Sequence, residues 1–448
     1  MANTWHLNVF NNDLAEWNRW RASNPHRHPD LSGIDLRGRD LRGVNFSSTT
    51  LTKADLSAAN LDGCTLENAD LSQANLTDST LIRARSSGAK FRRSRLYQAN
   101  CFQAQLRNAD FRGANLNGAS FRQCELHESD FSGADMVGVD FSKARLNGAV
   151  IRRANVARAN FSKVQMIKAT FFGCNLDEAT LVNSDLSWSS LSRAHLKNAD
   201  LRGAILRDTN LSGSLLNGAN LVGADLSRSR LIDVDLQNAS IAECRVFGIS
   251  AWNVNTEGTD QSNLKITRRH EPRITTDNIE VAQFIYLLLN HKKLREVLDS
   301  VTERGVLILG RFGGGGLDVL YSIASKLREF NYLPMIFDFA RPEQRNYTET
   351  VKTLVGLSRF VIVDLSGPSI PQELTATVPH FKIPFLTIME KGKTVYSMFS
   401  DILEYPWVSP PLEYASVNEL MDLIPSEILE VAESRLTERL KLLDRIFG

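Results

Sequence analysis

The sequence has few cysteines and no long apolar run. Its five cysteines form no Cys-x-x-Cys pair, so we expect no paired-cysteine metal site. Because no stretch of roughly 18 apolar residues is present, no membrane partner is expected. The first residues, MANTWHLNVFNNDLAEW, lack the basic and then apolar layout of a signal peptide. Together these absences predict a cytoplasmic protein whose cysteines are reduced.

An excess of charge of one sign is lacking as well. The 52 Lys and Arg residues nearly balance the 51 Asp and Glu residues, which leaves a net charge of +1. Such a chain has neither the basic field that steers a protein to nucleic acid nor the composition of a disordered one. We therefore expect no nucleic-acid partner. The length of 448 residues predicts more than one domain.

What the sequence does contain is a strict five-residue repeat. From Leu31 to Val246, every fifth residue is Leu, Phe, Met, Ile or Val, with Ser86 and Cys101 as the exceptions. A small residue stands two positions earlier, and Asp or Asn often stands one position earlier. A period of five fits neither an α-helix nor a β-strand. A long repeat of this kind predicts a solenoid, in which each unit buries its apolar face against its neighbours.

This pattern resembles the pentapeptide-repeat family. The resemblance implies that residues 31–248 form a right-handed quadrilateral β-helix with four pentapeptides per coil, and that the central and small residues point inward. Residues one coil apart then stack on the same side, which predicts two phenylalanine ladders as core packing. One ladder contains Phe91, Phe111, Phe131 and Phe171, and the other contains Phe121, Phe141 and Phe161. All five cysteines also occupy inward positions.

Two segments flank the repeats. In residues 1–30, Phe10, Leu14 and Trp17 form a helical stripe, which predicts a capping helix over the open end of the β-helix. Residues 249–276 are polar and are predicted to be a linker. One basic stretch within the repeats, residues 83–95, contains no acid. It is either a solvated face or a docking patch for an acidic protein or nucleic acid.

A new domain is predicted after the linker. Residues 277–304 have the pattern of two connecting helices, with Asp277 as the N-cap. In residues 305–410, four strand candidates alternate with helical stripes, which predicts an α/β domain with a parallel, flavodoxin-like sheet. Residues 411–448 are predicted to be C-terminal helices.

Polar residues follow the strand candidates of residues 305–410. Ligands bind beyond the carboxyl ends of parallel strands, so we expect a nucleotide there. The glycine-rich loop 310–316 is not a Walker A loop, because no Gly-Lys-Ser/Thr follows. It either approaches a phosphate or is a flexible loop. The candidate nucleotide-binding residues are Arg311, Gly313, Gly314, Asp338, Arg341, Arg345, Tyr347, Asp364 and Ser366. No metal site and no cofactor are expected.

The order of elements in residues 305–410 resembles that of a Toll/interleukin-1-receptor (TIR) domain. The segment FVIVDLSGPSIPQEL, residues 360–374, is also similar to the motif region of nucleoside 2-deoxyribosyltransferases. The resemblance implies that Glu373 is a catalytic carboxylate acting at a glycosidic carbon, and that the substrate is NAD or a related nucleotide. Ser369, Ile370 and Pro371 depart from the pattern, because TIR enzymes often have a Trp or Cys near the glutamate.

Two functions follow as hypotheses. In the first, the repeats are a scaffold and the TIR-like domain hydrolyses a nucleotide upon assembly, a role that the resemblance places in bacterial defence or stress signalling. In the second, the protein is a non-enzymatic adaptor that binds a protein partner on the repeats. Leu429, Leu436 and Leu443 are spaced by seven residues, which predicts a homo-oligomer. Docking of this last helix on its own domain is the alternative.

Overall fold

A computed structural model describes residues 3–310, 316–336, 347–366, 371–393 and 400–447. The chain divides into two compact units, Met1–Asn290 and His291–Gly448. Each unit has a hydrophobic core of its own.

The first unit is built around a β-helix with coils of 20 residues. Asp30 forms a parallel bridge with Thr50, and the same step recurs as far as Arg245 and Lys265. The Leu31 N–H donates to the Thr50 carbonyl oxygen at 2.8 Å, and this hydrogen bond is repeated from coil to coil. The predicted β-helix with four pentapeptides per coil is confirmed.

The corners of the coil explain the preference for Asp or Asn. The second residue after each central residue, from Gly33 to Asn263, has a positive φ. The Ile34 N–H donates to the Leu31 carbonyl oxygen at 3.2 Å, which closes a β-turn with Gly33 at its third position. The preceding Asp or Asn accepts a further backbone N–H, as Asp55 Oδ1 does from Ser57 at 3.1 Å. The repeated Asp or Asn therefore fixes the turn.

The core of the β-helix contains both predicted phenylalanine ladders. The rings of Phe111 and Phe131 stack with centroids 4.8 Å apart, and those of Phe141 and Phe161 stack at 5.1 Å. Edge-to-face contacts join the two ladders, as between Phe131 and Phe141 at 5.7 Å. These rings are fully buried, so the ladders are packing elements.

The N-terminal cap differs from the single helix that was predicted. It consists of α1 (Thr4–Asn12) and α2 (Leu14–Ser23), because Asp13 is extended and its carboxylate caps the start of α2. Phe10 and Trp17 are fully buried on the first coil. The Trp17 indole N–H donates to the Asn45 carbonyl oxygen at 2.9 Å. The cap thereby satisfies backbone groups that would otherwise be open.

The prediction that residues 249–276 form a linker is wrong. The β-helix continues into this segment as far as residue 265, with β1 (Arg230–Ile232) paired to β2 (Ser250–Trp252) and with isolated bridges to residues 255, 260 and 265. A short antiparallel pair follows, β3 (Leu264–Lys265) with β4 (Thr275–Thr276). The sequence predicts a linker because the segment is polar. The β-bridges between coils are formed by backbone groups, however, so they persist where apolar side chains are few.

Helix α3 (Ile279–Asn290) packs on this end of the β-helix. Ile279 and Ala282 are fully buried in the core of the first unit. The predicted N-cap, Asp277, is wrong, because its carboxylate accepts the Asn263 N–H at 2.7 Å. The neighbouring Asn278 instead accepts the N–H of residue 281 at 2.8 Å.

The second unit contains a five-stranded sheet in the order β6-β5-β7-β8-β9, in which every neighbouring pair is parallel. The strands are β5 (Gly305–Leu309), β6 (Leu333–Ile336), β7 (Phe360–Asp364), β8 (Phe385–Glu390) and β9 (Leu412–Tyr414). Numbered within the unit, this order is 2-1-3-4-5, the doubly wound order of flavodoxin-like sheets. The predicted parallel sheet is present. The C-terminal residues are not all helical, because the three-residue strand β9 joins the edge of the sheet.

Helices cover both faces of this sheet. They are α5 (Gly316–Glu329), α6 (Tyr347–Gly356), α7 (Pro371–Thr377), α8 (Ser400–Leu403), α9 (Val417–Leu423) and α10 (Glu430–Phe447). Helix α4 (Lys292–Arg304) precedes β5, and none of its described side chains is buried. One core joins β5, β7 and β8 to α5, α9 and the start of α10, and the other joins them to α6, α7 and α8. No helix within the described residues has the length and apolar character that crossing a bilayer requires.

Candidate functional site

The sheet of the second unit has a topological switch point between β5 and β7. The chain winds from β5 outward to β6 on one side, and then continues through β7, β8 and β9 on the other. In open parallel sheets, ligands commonly bind at the carboxyl ends of the two strands that flank such a switch point. The candidate site of the second unit is therefore at the carboxyl ends of β5 and β7.

Gly310 and Asp364 meet at this switch point. Gly310 follows β5 directly, and Asp364 is the last residue of β7. A Cβ atom at Gly310 would lie 3.2 Å from Cβ of Asp364 and only 2.5 Å from Cδ2 of Leu320. The absence of a side chain thus lets α5 and β7 approach each other. Gly310 is not among the binding residues predicted from the sequence, although it is the first residue of the glycine-rich loop 310–316.

Two of the predicted binding residues, Asp364 and Ser366, lie together at this edge. Both are buried, and the Asp364 Oδ1 atom accepts the Ser366 backbone N–H at 2.9 Å. The Ser366 hydroxyl oxygen in turn accepts the Glu390 N–H at 2.8 Å. These bonds tie the end of β7 to the end of β8 at the carboxyl edge of the sheet.

The other predicted site residues fall outside what the structure describes. Glu373 belongs to α7, which follows β7, but its side chain is outside the described residues. Tyr347 begins α6, and its side chain is likewise outside them. The remaining residues outside the described ranges are Arg311, Gly313, Gly314, Asp338, Arg341 and Arg345. Their roles stay predictions.

The basic stretch of residues 83–95 is not one-sided in space. Arg85 pairs with Glu67 at 2.7 Å, and Arg92 pairs with Asp110. Each acid lies 18 residues away in the sequence, on an adjacent coil. The one-sided charge in the sequence is therefore partly cancelled by stacking, which favours the solvated face over the docking patch.

The cysteines of the β-helix are core residues. All five are free and buried. Burial raises the pKa of Cys64 and Cys124 to about 12, and their thiols donate to the carbonyl oxygens of Leu41 and Cys101 at 2.8 and 2.7 Å. Thiols that stay protonated are poor nucleophiles and poor metal ligands. Within the described ranges, no group of three or more His, Cys, Asp and Glu residues is placed to hold a metal ion.

Comparison with known families finds a match to the repeats. A model described as "Pentapeptide repeats" matches eight copies, over residues 30–100, 104–208 and 209–245. The matched residues all lie in the first unit, so the α/β unit is outside the match. No curated protein sequence matches this chain.

Several solved structures are similar to the β-helix. HetL, a pentapeptide repeat protein from the cyanobacterium Nostoc sp. PCC 7120, is 23% identical; the alignment covers 54% of this chain and 94% of HetL, with a TM-score of 0.19. A pentapeptide repeat protein from the thylakoid lumen of Arabidopsis thaliana is 29% identical over 26% of this chain and 66% of its own, with a TM-score of 0.19. QnrB1, a plasmid-mediated fluoroquinolone resistance protein, is 18% identical over 51% of this chain and 92% of its own, with a TM-score of 0.23.

Proposed function

We propose, from the premise that residues 30–245 are a pentapeptide-repeat β-helix, that this chain is an interaction scaffold whose α/β unit binds a nucleotide. The observation that carries the second part is the switch point of the parallel sheet, where Gly310 and Asp364 meet. In sheets of this order the crevice at that point is the common place for a nucleotide.

The finer proposal is that the α/β unit is TIR-like and cleaves the nicotinamide–ribose bond of NAD with water. The bonding electrons leave with the nicotinamide nitrogen, and positive charge develops at the anomeric carbon of the ribose. The Glu373 carboxylate stabilises that charge or attacks the carbon, as carboxylates do in glycoside hydrolysis. Water then supplies the hydroxyl group of the ADP-ribose product and releases a proton.

The proposed binding residues contact different parts of the nucleotide. Arg341 and Arg345 hold the diphosphate, because a guanidinium donates two parallel hydrogen bonds to phosphate oxygens. Tyr347 stacks on a base. The other proposed contacts are made by Arg311, Gly313, Gly314, Asp338, Asp364 and Ser366. Support comes from the buried bond between Asp364 and Ser366, which fixes both residues at the sheet edge.

Incubation of the purified full chain with NAD tests the catalytic proposal. We expect wild type to release nicotinamide and ADP-ribose, and Glu373→Gln to lose at least about 100-fold in rate, because the amide cannot stabilise the cationic carbon as a carboxylate does. The matched control is Glu427→Gln, an exposed acid of the same unit, which should keep the wild-type rate. Equal rates for wild type and Glu373→Gln would contradict the assignment.

The alternative function is a non-enzymatic adaptor. It is favoured by Ser369, Ile370 and Pro371, which stand where TIR enzymes often have a Trp or Cys near the glutamate. Saturable NAD binding by calorimetry without any release of nicotinamide would establish this alternative. Absence of both binding and release would remove the nucleotide from the proposal and leave the scaffold.

Assembly is the last part of the proposal. Leu429 at the start of the leucine stripe is buried in the core of its own unit, so the stripe is not wholly free for a partner. Leu436 is half-buried, and the side chain of Leu443 lies outside the described residues. We expect a homo-oligomer by light scattering, which Leu436→Glu with Leu443→Glu weakens. A 50.0 kDa monomer at tens of micromolar wild-type protein would contradict it.

A further inference from the structure

The last coils of the β-helix and the turn that follows them line a basic pocket within the first unit. It has a volume of about 220 Å³. Its lining contains five arginines, a histidine and an aromatic ring, namely Arg207, Ser227, Arg228, Arg245, Phe247, Arg268, Arg269 and His270. We propose that this arginine pocket binds a compact anion that bears phosphate groups, with a diphosphate as the best match.

The coil register builds most of the pocket. Arg207, Ser227 and Phe247 are successive members of one column, because they are 20 residues apart. Arg228 belongs to the next column and is followed one coil later by Gly248. A Cβ atom at Gly248 would lie 3.3 Å from Cγ of Arg228 and 3.3 Å from the Tyr286 side chain. The missing side chain therefore leaves room for Arg228 beside Tyr286.

The antiparallel pair β3–β4 completes the pocket. The chain between these strands forms a turn in which the Glu271 N–H donates to the Arg268 carbonyl oxygen at 3.3 Å. This turn presents Arg268, Arg269 and His270 to the coil surface. Arg245 holds the turn in place through a hydrogen bond from its guanidinium to the Thr267 carbonyl oxygen. The sequence predicts a linker over this turn, so it gives no sign of the pocket.

The charges around the pocket do not balance. Asp225 is shared between Arg207 at 2.7 Å and Arg269 at 3.6 Å. A second carboxylate, Asp208, pairs with Arg228 at 2.7 Å. Glu271 lies 3.8 Å from Arg268. Three carboxylates thus face five guanidinium groups, which leaves an excess of positive charge.

Asp225 remains ionised in this setting. Burial by itself would raise its pKa, but hydrogen bonds from Ser227 and Arg207 outweigh burial, so the pKa lies below its ordinary value. The carboxylate therefore acts as an anchor that positions two guanidinium groups. It does not fill the pocket, because it lies beneath the surface with only 5% of its area exposed.

The shape of the pocket selects a compact anion over a stacked base. Phe247 is only 7% exposed. The Arg268 guanidinium lies over one face of its ring at 4.9 Å, and Tyr286 meets it edge to face at 4.9 Å. No open ring face remains for a nucleobase. Recognition therefore rests on guanidinium donors, whose forked geometry fits phosphate oxygens.

Calorimetric titration of the full chain with inorganic pyrophosphate tests this proposal. We expect saturable binding that weakens as salt is raised from about 50 to about 200 mM, because the interaction is between charges. Arg268→Gln with Arg269→Gln should weaken binding at least about tenfold, since each substitution removes a charge-assisted donor. Both side chains are exposed, so the coil beneath them stays intact.

Arg273→Gln is the matched control. It removes an exposed arginine from the same turn-forming segment without touching the pocket lining. Binding that is retained in Arg273→Gln and weakened in the double variant assigns the site to the arginine pocket, whatever the α/β unit also binds. Equal binding by wild type and the double variant, or no pyrophosphate binding by wild type, overturns the proposal.

A parallel titration with ADP distinguishes the source of the anion. Equal affinity for ADP and pyrophosphate means that the pocket recognises the phosphate groups alone. Tighter binding of ADP, lost in the same double variant, overturns the preference for a compact anion, because it means that the pocket also recognises the nucleoside. Calorimetry on the arginine variants tests the pocket and nicotinamide release tests the catalytic proposal, so failure of the catalytic proposal and failure of this one are distinguishable.

Discussion

The β-helix and the α/β unit differ in how far apart in the sequence their contacting residues lie. Many side-chain contacts in the β-helix join residues on adjacent coils, as in the 18-residue separation of Arg85 from Glu67. In the α/β unit, Arg359 and Tyr332 both bond to Glu433, which is 74 and 101 residues away, respectively. A fixed separation can be read along the chain, whereas a distant pairing depends on which segments fold together.

The burial patterns differ in the same way. In the β-helix, the central and small residues of each repeat are buried and the others are at least partly exposed along most of its length. In β5 and β7, all five residues are buried. Strands that are covered on both faces lose the alternation that reveals which side chain points where. The α/β core can therefore be recognised from the sequence but not assigned to faces.

The largest expected effect tests the inward register of the β-helix, in which every fifth residue is buried. Phe141→Asp would place an unpaired carboxylate and a cavity in the middle of a stacked ladder. We expect the free energy of unfolding to fall by at least about 4 kcal/mol, from the lost ring and the buried charge together. Urea denaturation followed by circular dichroism measures this loss.

The control for this substitution lies two residues further on. Lys143 is exposed with a φ of 60°, a conformation that Asp tolerates well. Lys143→Asp should change the free energy of unfolding by no more than about 0.5 kcal/mol. If both variants unfolded at the same urea concentration, the inward register would be wrong.

A smaller effect tests the distant pairing of the α/β unit. The Arg359 guanidinium donates two hydrogen bonds to the Glu433 carboxylate, at 2.7 and 2.6 Å. Glu433→Gln removes the charge and one acceptor. We expect a loss of about 1 kcal/mol at neutral pH, because the pair is partly exposed to solvent. Glu430→Gln, at an exposed position of the same helix, should have no measurable effect.

The pH dependence of that variant sharpens the test. The bonds from Arg359 hold the pKa of Glu433 below its ordinary value of 4.5. The carboxylate therefore stabilises the fold above the pKa of the unfolded state, and the contribution is lost as pH falls through the lower folded-state pKa. The difference between wild type and Glu433→Gln should shrink below about pH 4.5. A difference that stayed constant down to pH 3 would mean that the charge is not its cause.

The candidate sites show where prediction from the sequence ended. Asp364 and Ser366 were predicted, because polar residues after a buried strand mark the carboxyl edge of a parallel sheet. Gly310 was not predicted as a site residue, since its importance comes from Leu320 and Asp364, which approach it only in the fold. The sequence gives no sign of the arginine pocket for a related reason: its arginines belong to different coils and to a turn within the segment that is predicted to be a linker.

The sequence by itself determined the β-helix, its inward positions and its phenylalanine ladders. It did so because one coil stacks on the next at a constant interval, so the linear order already contains the contacts. Only the tertiary structure decided the split cap at Asp13, the further coil after residue 248, the fifth strand and the arginine pocket. These features depend on backbone bridges, a short edge strand and side chains brought together from separate coils, none of which leaves an apolar period in the sequence.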